Sequence, residues 1–255
     1  MGLCVWMPLP DRDFEPGEAA IPWRALHQAG HDVVFATERG GEGPSPEADP
    51  RLLNGVLFGK LGASPDAKAA YEEMKVSPEL AARVPWDSID PDTFDGMLLP
   101  GGHAPGMRQY LGAASLQEKA SAFFRSGRPV GAICHGVLVL ARAKDPQTGQ
   151  SVLHGRRTTS LLKYQELAGY YSTFWKLGNY YRTYPTTVED EVRAALSSSG
   201  TFERGPFALG DASKVKDDAR AFVVTDGNYL SSRWPGDAWL FARRFVSELE
   251  SLRGS

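Results

Sequence analysis

The chain has 255 residues, of which 42 % are hydrophobic and 23 % charged, and its formal net charge is -3 at pH 7. This composition is typical of an ordinary globular protein with a sizeable core, and the lack of a basic excess argues against nucleic acid as a partner. No apolar stretch is long enough to span a membrane, and the first ten residues do not resemble a signal peptide. Two cysteines cannot form a disulfide framework, so we expect a reducing, cytoplasmic location.

Predicted strands and helices alternate along the chain. In chain order they are a strand at 2–7, a helix at 17–29, a strand at 31–37, a helix at 66–76, a strand at 94–102, a helix at 115–127, a strand at 129–134, a helix at 135–143, a short strand at 155–161, a helix at 186–200, a hairpin at 221–232 and a helix at 237–253. This alternation predicts an α/β fold with a mostly parallel, doubly wound sheet and helices on both faces. We expect a single domain over residues 1–255, with an insertion at about 38–90.

Cys134 stands where a predicted strand gives way to a predicted helix. Small residues surround it in the sequence Gly-Ala-Ile-Cys-His-Gly at 131–136, which has the form of a nucleophile elbow. Ligands of parallel sheets gather at the carboxyl ends of the strands, and a helix N-terminus lowers the pKa of a nearby thiol. The sequence therefore favours a catalytic cysteine here over a buried structural one.

His135 follows the cysteine directly. Its imidazole is a candidate for the general base of a substrate held at Cys134, although adjacency in sequence alone does not bring the two side chains together. The alternative is an exposed histidine at a helix start.

A glycine turn follows the strand at 94–102. Gly101 and Gly102 let the backbone approach a ligand closely, so their amides are candidates for an oxyanion pocket, and His103 comes next in the same turn. The spacing fits neither a dinucleotide fingerprint nor a P-loop, and plain turn chemistry explains the glycines equally well.

Metal and serine chemistry find little support in the sequence. His27 and His31 are four residues apart, but Gly30 at the predicted helix end separates them, and the common zinc motifs are missing. The G-x-S-x-G motif of serine hydrolases is missing too. We therefore expect neither a metal nor another cofactor.

Two segments combine aromatic and basic residues. The first, at 170–184, contains Arg182, and such a run is more often core or subunit-interface packing than substrate contact. The second, at 231–239, contains Arg233 and Trp234 just before the last helix. Arg182 or Arg233 is a candidate for holding a substrate carboxylate.

Taken together, these motifs resemble the ThiJ/PfpI superfamily, which shares the flavodoxin-like fold of class I glutamine amidotransferases. The resemblance runs over nearly the whole chain, and four stretches carry it: Glu18 and Pro22 in the first helix, FDGMLLPGGH at 94–103, AICHG at 132–136 and VVTDGNYLSSRWPGDA at 223–238. The long insertion and the Gly-Gly-His turn are similar to the branch of glutathione-independent glyoxalase III enzymes and stress chaperones.

The resemblance implies roles for individual residues. Cys134 would be the nucleophile and His135 its proton carrier, with Glu18 contacting the sulfur as a protonated carboxyl and Glu166 completing the triad. The amides of Gly101, Gly102 and His135 would form the oxyanion site. Substrate binding would fall to four further residues, His103, Arg182, Arg233 and Trp234.

The resemblance implies a cysteine-dependent enzyme that acts on a small carbonyl compound, converting a 2-oxoaldehyde to a 2-hydroxy acid without glutathione. Two alternatives stay open: a cysteine hydrolase or hydratase acting on an amide, ester or isonitrile, and a non-catalytic stress chaperone or redox sensor. The turn after Gly102 and the stretch 170–184 depart from that branch, which leaves the substrate open. A homodimer is the expected assembly, with a small molecule rather than nucleic acid or membrane as partner.

Overall fold

The structure is a computed structural model that describes residues 2–209 and 218–253. Its strands are β1 (Cys4–Pro8), β2 (Arg12–Phe14), β3 (Asp32–Thr37), β4 (Glu47–Ala48), β5 (Val84–Pro85), β6 (Gly96–Leu99), β7 (Val130–Ile133), β8 (Arg157–Thr158), β9 (Thr201–Phe202), β10 (Val223–Asp226) and β11 (Tyr229–Ser232). Its α-helices are α1 (Pro16–Gln28), α2 (Pro50–Asn54), α3 (Pro65–Lys75), α4 (Pro78–Ala81), α5 (Met107–Leu111), α6 (Ala114–Arg125), α7 (Val137–Arg142), α8 (Lys163–Leu177), α9 (Val188–Leu196) and α10 (Ala238–Ser251).

The central sheet has seven strands among the described residues, in the order β10-β11-β7-β6-β1-β3-β5. Every pair in it is parallel except the hairpin of β10 and β11, which turns at Gly227 with a φ of 60°. The predicted α/β class with a mostly parallel sheet is confirmed. Because β1 lies between β3 and β6, the strand order reverses there, and ligands of open α/β sheets bind at such a point.

Helices cover both faces of the sheet. The first helix, α1, packs against α3 and α10, whereas α7 packs against α6 and α9. The side chains of Phe241 and Phe245 on α10 fill the space beside Gly131 of β7, where a Cβ would lie 2.8 Å from the Phe245 ring. The central strands are buried on both sides, as expected for a parallel sheet between two helix layers.

The first helix shows how local sequence fixes an element. Glu15 caps it by accepting a hydrogen bond from the Glu18 amide at 2.6 Å, and Pro16 occupies its first position, where a missing N–H costs nothing. Gly30, with a φ of 76°, follows its end and turns the chain into β3. This cap places the Glu15 and Glu18 side chains at the carboxyl end of the sheet.

Two regions differ from the sequence expectation. The segment at 155–161 contributes only the two-residue strand β8, which pairs with β9 outside the central sheet. The helix α8 was not predicted, although it is among the longest of those described. Among the helices that the structure describes, none has both the length and the apolar character needed to cross a bilayer.

Candidate active site

Three strand ends bring the candidate residues together. Strand β1 leads to Glu15 and Glu18, strand β6 leads to the turn at 101–103, and strand β7 ends at Cys134. These strands are neighbours in the sheet and run parallel, so their carboxyl ends meet at one edge. The candidate site therefore lies at the point where the strand order reverses.

Cys134 sits on a strained turn. Its φ is 57°, in the left-handed region that a residue with a side chain rarely adopts, and it opens the 3₁₀ turn Cys134–Gly136 that leads into α7. The residue is 4 % exposed. A Cβ on Gly136 would lie 2.2 Å from the Leu99 carbonyl oxygen, so the turn packs directly on the end of β6. This is the nucleophile-elbow geometry that the sequence predicted.

The imidazole of His135 folds back beside the sulfur. Its Nδ1 atom lies 3.5 Å from the Cys134 Sγ atom, and the residue is fully buried. Burial, followed by the neighbouring His103 and Arg142, lowers the pKa of His135 well below its ordinary value. The ring is therefore neutral at pH 7, and its Nδ1 atom faces the sulfur; the same shift makes the imidazole a weaker base than a free histidine.

Glu18 approaches the sulfur from the other side. A Cβ on Gly101 would come within 2.6 Å of its Oε2 atom and 2.8 Å of the Cys134 Cβ, so the glycine allows the acid and the cysteine to meet. Neither carboxyl oxygen has a hydrogen bond of regular geometry within the described chain. Burial, followed by Glu15, raises the pKa of Glu18 well above its ordinary value. The Glu18 carboxyl is therefore protonated at pH 7, and its donation to the sulfur stays a prediction.

The expected low pKa of the cysteine is wrong. Burial, followed by the Glu18 carboxyl, raises the pKa of the Cys134 thiol well above its ordinary value. The helix that follows is only six residues long and begins three residues after the sulfur, so its dipole contributes little. The resting pair is therefore a thiol next to a neutral imidazole.

Glu166 lies behind His135 at the start of α8. One ligating atom from each of His103, His135 and Glu166 lies within 4.8 Å of the other two. The Glu166 carboxyl accepts hydrogen bonds from the Val188 amide at 2.8 Å and from Arg182 Nη1 at 3.2 Å. Burial raises its pKa to about 7, against the opposing effect of these two donors. His103, His135 and Glu166 are also the donor types that bind transition metals, although the Arg182 charge opposes a cation there.

A cavity opens onto Cys134. It has a volume of about 360 Å³, and its floor includes Glu15, Glu18 and Gly102. His103 also lines it, with its ring centroid 5.0 Å from that of His135. Burial, followed by Arg182, lowers the pKa of His103 to about 4, so this imidazole is neutral as well.

The walls of the cavity come from the insertion and from the aromatic stretch. Asp49 caps α2 in the insertion and accepts hydrogen bonds from the hydroxyls of Tyr181 at 2.9 Å and Tyr180 at 3.2 Å. Val56, from the insertion, packs with Tyr181 and Ala104 in a small hydrophobic cluster of its own. Two segments that are far apart in sequence thus close together over Cys134.

Comparison with known proteins agrees with this geometry. A family model described as ThiJ/PfpI family-like matches residues 9–206. The chain belongs to the ThiJ/PfpI family. Its relatives include a deglycase of Pyrococcus abyssi, 29 % identical over 237 residues that cover 93 % of this chain and 94 % of the relative. Glyoxalase 3 of Candida albicans is 23 % identical over 237 residues, covering 91 % of this chain and 88 % of the relative.

Solved structures show the same ThiJ/PfpI fold. The crystal structure of glyoxalase III from Candida albicans matches with a TM-score of 0.68 and 20 % sequence identity. The match covers 96 % of this chain and 97 % of that one. At this identity the likeness establishes the flavodoxin-like fold alone.

Most residues assigned from the ThiJ/PfpI resemblance come together in the structure. His135 and Glu18 flank the sulfur of Cys134, Gly101 lies against both Glu18 and Cys134, and Glu166 lies behind His135. The cavity is lined in part by three further assigned residues, Gly102, His103 and Trp234. Their chemical roles stay predictions.

Arg182 and Arg233 do not reach the cavity wall, which corrects the expectation that they bind substrate. Arg233 is fully buried and forms a paired ion contact with Asp237, through Nε at 2.8 Å and Nη2 at 2.9 Å. It also donates to the carbonyls of Arg204, Pro206 and Arg220. Arg182 holds Glu166 and the Pro185 carbonyl. Both guanidinium groups support the ThiJ/PfpI scaffold instead.

Sequence reasoning missed Glu15 and the wall formed by α8. Glu15, like Glu18, lines the cavity at the ThiJ/PfpI site, and its buried carboxyl has a pKa raised to about 7, chiefly by burial. The signal was present, since Glu15 precedes Pro16 and stands three residues before Glu18, which suits a cap. Gln165, Ser172 and Thr173 of α8 line the cavity, and nothing in the local pattern marked them.

Glu15→Gln is expected to make the protein more stable at alkaline pH. The folded pKa of Glu15, about 7, lies above the ordinary glutamate value of 4.5, so the folded state holds an extra proton between these values and loses stability as pH rises through them. The amide of glutamine still accepts the Glu18 N–H but does not ionise. The gain at pH 8 is on the order of 3 kcal/mol.

The measurement is the free energy of unfolding by denaturant at pH 5 and pH 8. Glu118→Gln, at an exposed position of α6, is the matched control. A Glu15→Gln variant whose stability follows the wild type at both pH values would contradict the expectation.

Proposed function

We propose that this protein is a cysteine-dependent enzyme acting on small carbonyl compounds, and specifically that it converts 2-oxoaldehydes to 2-hydroxy acids without glutathione. The observation that carries the proposal is Cys134 at φ 57°, with its Sγ 3.5 Å from the His135 Nδ1 atom at the floor of a cavity. A strained, buried cysteine with a neutral base in contact is suited to covalent addition to a carbonyl carbon.

The first step forms the bond to sulfur. The thiol proton passes to His135, Cys134 Sγ attacks the aldehyde carbon, and the carbonyl electrons move to oxygen. The amides of Gly102 and His135 would stabilise that oxygen, which then takes the proton back from His135, giving a hemithioacetal and a neutral imidazole. The protonated Glu18 carboxyl donates to the sulfur.

The second step moves a proton between carbons. Neutral His135 removes the proton from the former aldehyde carbon, the C–H electrons form a C=C bond and the neighbouring ketone oxygen takes the negative charge. The imidazolium then protonates the neighbouring carbon, and the hydroxyl proton of the former aldehyde carbon passes to the neighbouring oxygen, which leaves a thioester on Cys134. Water then attacks the thioester, the C–S bond breaks, and the thiol is restored as the 2-hydroxy acid leaves. The sum is the addition of one water to the 2-oxoaldehyde, so no oxidant is needed. The Glu166 carboxyl has an oxygen within 4.8 Å of a His135 ring nitrogen, without a hydrogen bond between them, and would orient that ring.

A second candidate is the removal of carbonyl adducts from amines. The relatives that match at 28–29 % identity over nearly the whole chain are deglycases. Such an adduct presents the same carbon to Cys134, with an amine as the leaving group. The buried cysteine, 4 % exposed at the floor of a cavity, favours a small free aldehyde over an adduct on a macromolecule.

The test is formation of D-lactate from methylglyoxal without glutathione, in the wild type and in Cys134→Ala. We expect turnover in the wild type and none in the variant, because the variant has no atom that can form the hemithioacetal. A rate in Cys134→Ala equal to that of the wild type would overturn the proposal. If the wild-type protein forms no lactate from methylglyoxal but releases amines from their carbonyl adducts, the result would support the deglycase candidate instead.

A further inference from the structure

We propose that the preferred substrates are neutral carbonyl compounds with an apolar alkyl or aryl group, because the cavity at Cys134 has an apolar wall much larger than a methyl group needs. This inference rests on the proposed function and names its substrate class. The cavity volume, about 360 Å³, lies in the range of pockets that hold drug-sized ligands. Methylglyoxal carries only a methyl beside its two carbonyls.

The wall that makes up most of the cavity is hydrocarbon. Apolar side chains come from four separate parts of the chain: Ile21 on α1, Leu52 and Val56 in the insertion, Ala168 on α8, and Trp234 before α10. Val56 is 7 % exposed, whereas Leu61 and Leu209 also line the cavity and are 37 % and 51 % exposed. The exposed leucines therefore mark the rim, and the apolar wall extends from the rim towards the buried cysteine.

The carboxyl and imidazole groups of the lining belong to the reacting end. Glu15, Glu18 and His103 are the lining residues, within the part of the chain described, that ionise in the range of carboxyls and imidazoles. Glu18 and Glu15 are buried near Cys134, and the two nearby arginines are held by Glu166 and Asp237. Within the part of the chain described, no cationic side chain lines the cavity, so a substrate carboxylate would lose its hydration there without meeting an opposite charge, whereas a neutral carbonyl compound has no charge to desolvate.

The same arrangement helps the product leave. A 2-hydroxy acid is an anion at neutral pH, and it forms in a cavity where none of the described lining residues is a lysine or an arginine. The apolar group that favours binding of the substrate is unchanged by the reaction. The product therefore binds less favourably than the substrate because it carries a negative charge that the substrate lacked.

The first experiment measures binding without chemistry. Cys134→Ala protein is titrated with acetone, hexan-2-one and acetophenone, and with the anion benzoylformate, by calorimetry and by tryptophan fluorescence, since Trp234 lines the cavity. Each methylene moved from water to the wall should tighten binding about threefold to fourfold. We expect hexan-2-one and acetophenone to bind at least tenfold more tightly than acetone, and benzoylformate more weakly than acetophenone.

The second experiment measures preference in turnover. In the wild type, kcat/KM should rise from methylglyoxal to butylglyoxal and phenylglyoxal. Ala168→Phe fills part of the wall and should lower the ratio of kcat/KM for phenylglyoxal to that for methylglyoxal at least tenfold. Ala114→Phe makes the same change at an exposed position of α6 and should leave the ratio as it is.

The outcomes separate this inference from the proposed function. The inference is overturned, whatever the turnover, if hexan-2-one and acetophenone bind no more tightly than acetone. It is also overturned if benzoylformate binds most tightly of the four compounds. Rising affinity along the ketone series in a protein that converts no 2-oxoaldehyde would support the apolar preference and overturn the proposed reaction.

Discussion

His135→Ala is expected to lower kcat/KM for methylglyoxal by about 10²–10⁴-fold. The imidazole Nδ1 is 3.5 Å from the sulfur, and its lowered pKa keeps the ring neutral at pH 7. The thiol has a raised pKa, so without a base in contact little thiolate forms. The loss should appear in kcat as well as in kcat/KM, because the same ring also moves the proton between the substrate carbons.

His27→Ala is the matched control, since His27 lies on the exposed end of α1 and pairs only with Glu79 at 3.3 Å among the described ion pairs. The double variant Cys134→Ala/His135→Ala should show no turnover, as is expected of Cys134→Ala alone, because the two residues act as one unit. If His135→Ala kept the wild-type kcat/KM, the base would have to be another group. The measurement is initial-rate kinetics of lactate formation at pH 7.

Gly136→Ala is expected to destabilise the fold by about 3 kcal/mol or more and to remove activity with it. A Cβ there would lie 2.2 Å from the Leu99 carbonyl oxygen and 2.6 Å from the Pro100 carbonyl oxygen. Both are backbone atoms at the end of β6, so no side chain can turn away to make room. The strain falls between β6 and the turn that carries Cys134.

Gly41→Ala is the control for this substitution. A Cβ at Gly41 would meet its nearest described neighbour, the Arg83 carbonyl oxygen, at 3.9 Å. Unfolding in denaturant, followed by circular dichroism, should show an unchanged midpoint for Gly41→Ala and a large decrease for Gly136→Ala. Equal midpoints for the two variants would mean that the turn moves freely away from β6.

The sequence was most informative where the signal is local. Cys134, its small neighbours and the predicted strand before it stand in one short stretch, so the elbow was predicted and is present at φ 57°. Glu18 and Glu166 came from the family resemblance, and both lie close to the Cys134–His135 pair.

The helix α8 could not be predicted because its pattern is reversed. Its buried residues are Gln165, Glu166 and Thr173, which face the site, whereas Tyr171 and Trp175 are 68 % and 65 % exposed. A periodicity search looks for apolar side chains on the buried face. A helix that covers a partly polar site does not have that pattern.

The arginine assignments failed for a different reason. From the sequence, Arg233 was a candidate for binding a substrate carboxylate. Its partner Asp237 lies four residues later, across a turn, and only the folded chain brings the two charges together at 2.8 Å. Arg182 likewise contacts Glu166 through a loop. Composition shows that a charge is present but does not show what it pairs with. The same limit applies to the Cys134 thiol, whose pKa depends on burial that no local pattern reports.

The two edges of the central sheet also affect how copies of this protein meet. One edge is β5, two residues long and ending in Pro85, which has no N–H to offer another strand. The other is β10, which packs against the short strand β8, and Asp226 at its end accepts a hydrogen bond from the Arg157 amide at 2.9 Å. Neither edge is a long, open template for an added strand. These edges thus disfavour edge-to-edge pairing between the central sheets of two copies.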